Sequence, residues 1–297
     1  MEKTKNSAWA LTAILAGATL LGLSAIFVRW SEASPSITAF YRALFALPFL
    51  LLWVYFGTSK KKVSFNFEKK TWIFFILSGA FFGVDMALWN WSIYFTSVAH
   101  ATLMANTAPV FVCLISFFIL RNHIQPIFFI ALILGLLGVI IVIGAGSGSN
   151  SSRLLGDSFG LFAAIFYAGY ILSIKRLTVI VEPPQVLLVS TFFTALFLLP
   201  VSLIESGDFF SSSYLGWQIL FGYALVSQVF AQGLITFGIS RLSAHFSSLT
   251  LLVQPIAATI FGIVLLGEFV NKWQIIGGVV VLSSIYLANA TEKTSPN

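Results

Sequence analysis

The chain has 297 residues, of which 58% are hydrophobic and only 9% charged, with a formal net charge of +6. A water-soluble domain carries roughly 25% charged residues, so this composition excludes a soluble globule. The apolar residues fall in continuous runs of about twenty, the length that crosses ~30 Å of hydrocarbon as a helix, and continuous rather than alternating runs exclude a β-barrel.

The reading is an all-α membrane protein with ten transmembrane helices. The first predicted span covers 9–28. It follows Lys3 and Lys5 as a signal peptide would, but it is too long for a usual apolar signal core and has no small-x-small cleavage pattern, so a retained span is expected. Further spans are predicted over 37–56, 72–95, 99–120 and 125–144. The polar stretch from Gly144 to Ser152 reads as a flexible linker. A second group follows over 154–174, 183–204, 214–239, 245–266 and 272–289. This gives two five-helix units, residues 1–148 and 149–297.

The positive charges are distributed by side. With the N-terminus in the cytoplasm, the inner set is Lys3, Lys5, Lys60, Lys61, Lys62, Lys69, Lys70, Arg121, Lys175, Arg176, Arg241 and Lys293. The outer set is Arg29, Arg153 and Lys272, and Arg42 is left inside a span. Such asymmetry follows the positive-inside rule and predicts both termini in the cytoplasm. The basic residues are therefore topology signals, not a nucleic-acid surface.

The halves repeat. Trp72 and Ala99-His100 recur as Trp217 and Ala244-His245 at an offset of 145 residues, and Pro109 recurs as Pro255 one residue later. Five spans per unit force the copies into opposite orientations. The loops agree: Lys60 to Lys62 make one loop basic, whereas its counterpart holds Glu205 and Asp208. Inverted repeats are common among secondary transporters, with the substrate site near midplane between the halves.

The ten-span plan, the duplication, and the Ala-His, Pro, Gly267-Glu268 and Gly277-Gly278 steps resemble the drug/metabolite transporter superfamily, in particular its EamA-type branch of amino-acid and metabolite exporters. The resemblance covers nearly the whole chain. It implies export or exchange of small polar metabolites, amino acids first among them, through the cytoplasmic (inner) membrane. One departure is visible: the first half has Arg121-Asn122 where the second has Gly267-Glu268.

Polar residues inside spans carry the functional information, because each costs free energy in hydrocarbon. Asp85 lies about 13 residues, or ~20 Å, into the third span, near the bilayer centre. It reads as a ligand for a substrate amine, as a proton-coupling group, or as an ion-pair partner for Arg42. Arg42 lies just inside the second span; it either snorkels to the interface or holds a carboxylate through its planar fork. The amides Asn106, Gln228, Gln232 and Gln254 fall at similar depth. Taken singly each reads as an interhelical hydrogen bond; together they suggest a polar midplane cavity. Trp89 and Asn90 follow Asp85, and Tyr167 and Tyr170 lie deep in the sixth span, too deep for an interfacial belt. They suit a wall against an apolar substrate part. Gly79-x-x-x-Gly83 and Gly156-x-x-x-Gly160 predict close helix contacts. Gly135, Gly138, Gly277 and Gly278 suggest a repeat-related contact or a dimer face, which leaves monomer and homodimer both open. His100 and His245 are expected to cap helix ends.

No catalytic centre is expected. A Gly-Lys-Ser/Thr phosphate loop, a Gly-x-Ser-x-Gly elbow and a His-Glu-x-x-His helix are all missing. Cys113 stands alone, and the three histidines have no Cys or carboxylate at ligand spacing, so neither a disulfide nor a metal or other cofactor is expected. The expected partners are a small-molecule substrate and the lipid bilayer, with proton coupling as one role for Asp85. The expected activity is secondary transport by alternating access, with a passive channel or facilitator as the alternative.

Overall fold

A computed structural model describes residues 2–57, 65–96, 98–143, 151–205, 209–266 and 272–294. The described residues form helices joined by short loops. Among the described residues, eight helices are long and apolar enough to cross a membrane, and two shorter apolar stretches, Pro126–Ile141 and Ile275–Ala290, fall in the fifth and tenth spans. The loop of Lys60 to Lys62, most of the linker from Gly144, Asp208, and the Gly267-Glu268 step lie outside the described residues.

Six spans are unbroken α-helices: the second (Pro35–Gly57), third (Lys69–Phe95), fifth (Pro126–Ile143), sixth (Ser151–Leu177), seventh (Pro183–Ile204) and tenth (Lys272–Thr294). Four are interrupted, although their sequence predicts continuous helices. The first divides into Glu2–Leu21 and Ser24–Trp30. The fourth divides into Val98–Ala105 and Ala108–Leu114, and ends in a π-helical turn, Ile115–Ile119. The ninth divides into Ala244–Thr250 and Val253–Leu266. The eighth keeps its course but widens between Tyr214–Tyr223 and Gln232–Ile239 into a π-helix, Ala224–Ala231. In the fourth and ninth spans the break precedes Pro109 and Pro255, whose missing N–H and ring forbid a regular turn.

Arg121, just beyond the fourth span, has φ 54°. A side chain there bears a steric cost that glycine escapes, and the repeat-related position in the second half is Gly267.

Packing follows the small residues. The third span runs along the sixth and seventh, the second against the seventh and eighth, and the first against the eighth. Gly79 presses its backbone on Phe193 and Thr194, and Gly156 lies against Phe95 and Thr96. The fifth and tenth spans pack on one another. A Cβ on Gly138 would fall 2.9 Å from Val281 N and 3.0 Å from Gly277 O, so these glycines serve a contact between the halves. His245, at the start of the ninth span, lies 3.1 Å from Ser243 Oγ and edge-on to Phe128. Phe118, Ile204 and Tyr286 are among the many large side chains left exposed around the bundle, as a lipid-facing surface requires.

At the end where the first span meets the second, Glu32 closes the loop. Its carboxylate accepts from Ser211 Oγ (2.7 Å), Ser212 Oγ (3.1 Å), Ser213 N (3.1 Å) and Ser213 Oγ. Ser213 Oγ in turn caps the eighth span by accepting from Gly216 N at 2.9 Å. The start of the second span is held in the same way. Ser36 N donates to Glu205 (2.9 Å), Ser202 Oγ to Ser36 O (3.1 Å), Asn90 Nδ2 to Pro35 O (3.0 Å) and Trp91 Nε1 to Ser36 Oγ (3.0 Å).

Two outcomes are expected. Gly138→Leu forces the fifth and tenth spans apart and lowers stability by about 1–3 kcal/mol, the usual cost of overpacking. Gly278→Ala, whose Cβ meets nothing nearer than 3.9 Å, leaves the melting temperature of the detergent-purified protein unchanged. Second, the hydroxyls of Ser213 and Ser211 hold the Glu32 carboxyl well below its ordinary value, at about 2 against 4.5. A depressed carboxyl stabilises the fold above pH 4.5, and that contribution disappears as pH falls from 4.5 towards 2. Amide protection in the peptides covering 31–34 and 211–216, corrected for the intrinsic exchange rate at each pH, therefore falls as pH drops across that window, and Glu32→Gln abolishes the dependence.

Candidate functional site

A partly open cavity of about 80 Å³ lies between the two halves. Its walls come from the first four spans (Gly22, Ser24, Arg42, Asp85, Trp89, Asn106) and from the sixth, eighth and ninth (Tyr167, Ile171, Gln232, Ser248, Gln254). All three broken spans reach it at their breaks, through Gly22, Asn106 and Leu251. Interrupted backbone is tolerated at membrane depth where it faces protein or a cavity, and discontinuous helices around a midplane site are a recurring transporter device.

Arg42 is 4% exposed and does not snorkel. Nε donates to Gln228 Oε1 at 3.0 Å, Nη1 to Tyr223 Oη at 3.1 Å and Nη2 to the Ser227 carbonyl at 3.4 Å. All three acceptors come from the eighth span, where the π-helical turn carries Ser227 and Gln228. The guanidinium also sits over the rings of Tyr223 (5.0 Å) and Phe82 (5.6 Å), a favourable cation–π placement. Gln228 is fixed in turn, its Nε2 donating to Thr191 Oγ1 of the seventh span at 3.0 Å. A guanidinium has five N–H donors, so two remain after these contacts.

Asp85 is 8% exposed and lines the same cavity. No ion pair shorter than 4.0 Å joins it to Arg42, and among the described residues it accepts no hydrogen bond. Of the readings for Asp85, the ion pair with Arg42 is not formed: Arg42 is drawn to the neutral acceptors of the eighth span.

Trp89, one turn from Asp85, also lines the cavity, as do Asn106, Tyr167, Gln232 and Gln254. Asn106 Nδ2 donates to Thr102 O at 2.7 Å. The Gln232 side chain faces the Tyr167 hydroxyl, yet Gln232 Oε1 and Tyr167 Oη are buried without a hydrogen-bond partner of good geometry.

Three expected site residues are placed elsewhere. Asn90 anchors the second span at Pro35. Gln228 lies behind Arg42. Tyr170 backs the wall, stacked on Phe82 at 4.2 Å and on Tyr167 at 5.9 Å. Sequence reasoning missed Tyr223, Ser227 and Thr191, which hold Arg42 and Gln228, as well as Phe82, Met86, Ser24 and Ser248 in the wall. Tyr223 and Ser227 were open to the depth argument, being polar and inside the same span as Gln228.

Ten apolar spans in two packed halves, with a cavity between them lined by buried charged side chains, define a polytopic membrane protein of the architecture common among transporters. The EamA-like transporter family matches the chain twice, over residues 8–144 and 154–290, and the chain belongs to that family. Among its relatives is the uncharacterized transporter YetK of Bacillus subtilis, 27% identical over 228 residues, covering 74% of this chain and 69% of YetK. The threonine/homoserine exporter RhtA of Escherichia coli K12 is 23% identical over 213 residues, covering 69% and 68% of the two chains. A solved structure at 17% identity superposes over 98% of both chains with a TM-score of 0.74, a likeness of fold.

The hydrogen-bonding around Arg42 sets an expected outcome. Gln228→Leu removes an acceptor from a buried cation and a donor from Thr191, and lowers stability by about 1.5–3 kcal/mol, as for hydrogen bonds to charged groups. Gln254→Leu, at a side chain with no hydrogen-bond partner among the described residues, leaves stability nearly unchanged. Thermal unfolding of the two purified variants checks the difference.

Proposed function

We propose that this protein is a secondary transporter of zwitterionic small metabolites, amino acids or close relatives, working by alternating access across the cytoplasmic membrane with both termini in the cytoplasm. The observation that carries the reading is that Arg42 and Asp85, of opposite formal charge, line one buried cavity without pairing with each other. Such a pair complements a ligand carrying a carboxylate and an amine. The two free N–H groups of Arg42 meet the carboxylate and Asp85 meets the amine or, between substrates, a proton. Trp89, Ile171 and Met86 face the apolar remainder. The relative that exports threonine and homoserine handles ligands of this charge pattern, and the twelve-to-three distribution of basic residues supports the orientation. The breaks at Gly22, Asn106 and Leu251 supply hinges at cavity level, where one half rocks against the other.

The test is counterflow. Proteoliposomes preloaded with single unlabelled amino acids take up labelled amino acids from a panel. A carrier shows accelerated uptake with a few preloads, whereas a pore shows no preload dependence. Asp85→Asn is expected to reduce the accelerated uptake by about tenfold or more, the loss of one charge-assisted contact. Unchanged uptake by that variant removes Asp85 from the binding role.

A further inference from the structure

Three oxygen-bearing side chains line one cavity without a hydrogen-bond partner of good geometry at the oxygen. Gln232 Oε1 is buried on a residue only 1% exposed. Tyr167 Oη faces the same amide and is likewise unpartnered. The Asp85 carboxyl lines the same cavity and takes no hydrogen bond from any described residue. They come from three spans, the third, sixth and eighth, so their convergence is not a by-product of one helix face.

Buried acceptors left unmet destabilise a protein, and such groups in native structures call for an explanation. A donor-rich cation supplies one. A primary ammonium carries three N–H bonds. A quaternary ammonium carries the same charge and no N–H, and it is bulkier. The aromatic surroundings do not form an open cage for a methylated cation: Phe82 is already stacked on Tyr170 and faced by Arg42.

We propose that Asp85, Tyr167 and Gln232 form an ammonium pocket that selects N–H-bearing amines and rejects their N-trimethylated counterparts, with Gln232 and Tyr167 as the specificity-determining residues. This rests on the zwitterion reading for its carboxylate end but stands on its own acceptors for its amine end. Recognition by N–H donation discriminates strongly, because a ligand lacking the donors leaves the site's buried polar groups unmet.

The experiment measures binding to the purified full-length protein by thermal stabilisation, which does not depend on transport. The probes are the twenty amino acids, their N,N,N-trimethyl betaines, and the matching decarboxylated primary amines. At least one amino acid is expected to stabilise the protein, with its betaine about tenfold or more weaker, as the loss of hydrogen bonds to a charged group implies. Tyr167→Phe and Gln232→Leu are expected to weaken amino-acid binding and leave betaine binding unchanged, which narrows the gap.

A betaine that binds as tightly as its parent overturns the ammonium pocket and leaves the carrier reading intact. Binding of decarboxylated amines without binding of amino acids keeps the pocket and overturns the carboxylate role of Arg42. Binding by none of the three series overturns both. A gap that persists unaltered in both variants overturns the assignment to Tyr167 and Gln232, because Asp85 alone then accounts for the selection.

Discussion

A guanidinium buried in a membrane protein must be supplied with acceptors, and the arrangement around Arg42 follows from that requirement. An unsatisfied cation at this depth is costly. Here Gln228, Tyr223 and the Ser227 carbonyl satisfy it, all from the eighth span. A regular α-helix keeps its carbonyls for its own i→i−4 ladder. The π-helical turn Ala224–Ala231 relaxes that pattern at the place where Arg42 approaches, in keeping with the occurrence of such bulges at functional sites. Gln228 then passes the constraint on to Thr191, so the second, seventh and eighth spans are tied at cavity level by one hydrogen-bonded chain. The second and seventh spans are tied again at their ends through Ser36, Ser202 and Glu205, while Glu32 binds the adjoining loop to the start of the eighth.

The repeat is symmetric in backbone at the fourth and ninth spans and asymmetric elsewhere, in backbone and in chemistry. The fourth and ninth spans break at equivalent places ahead of Pro109 and Pro255. The sixth span, counterpart of the broken first, is continuous and carries Tyr167 and Tyr170 into the wall. Both charged cavity residues belong to the first half, whereas Tyr167, Gln232 and Gln254 come from the second. Arg42 is the exception to a clean division, because it is lodged in the second half by its acceptors. A ligand in the cavity therefore touches both halves, and its binding free energy depends on how they sit relative to one another.

Depth in the bilayer made part of this site legible from sequence. Asp85, Trp89, Asn106, Tyr167, Gln232 and Gln254 were selected because polar or amphipathic groups far from either interface must face inward, and all six line the cavity. The argument fails where facing, not depth, decides. Trp89 and Asn90 are adjacent, but about 100° apart around a helix of 3.6 residues per turn, so only one of them looks into the cavity. Gln228 and Gln232, four residues apart, would share one face of a regular α-helix. The π-helical turn between them separates their directions, one towards Arg42 and the other into the cavity. No residue pattern announced that turn. The break in the first span was hidden as well, inside an uninterrupted apolar run; Gly22, packed on Ala257 and Ala258, was its only mark.

Why Arg42 and Asp85 remain apart follows from the same constraint. An ion pair between them would neutralise the cavity and remove its reason to bind a charged ligand. Holding Arg42 on neutral acceptors keeps the guanidinium satisfied while its charge remains undiminished, and Asp85 keeps a free carboxyl. On the proposed reading, a zwitterion completes both at once, and the gain is largest when the halves close on it, because charge interactions strengthen as water leaves. Empty, the site has a cation without a counter-charge and a carboxyl without a partner, which closure would desolvate at a cost. Occupied, that cost falls. A ligand shifts a conformational equilibrium only by its differential affinity for the two states, and on the proposed reading the separation of Arg42 from Asp85 provides this difference.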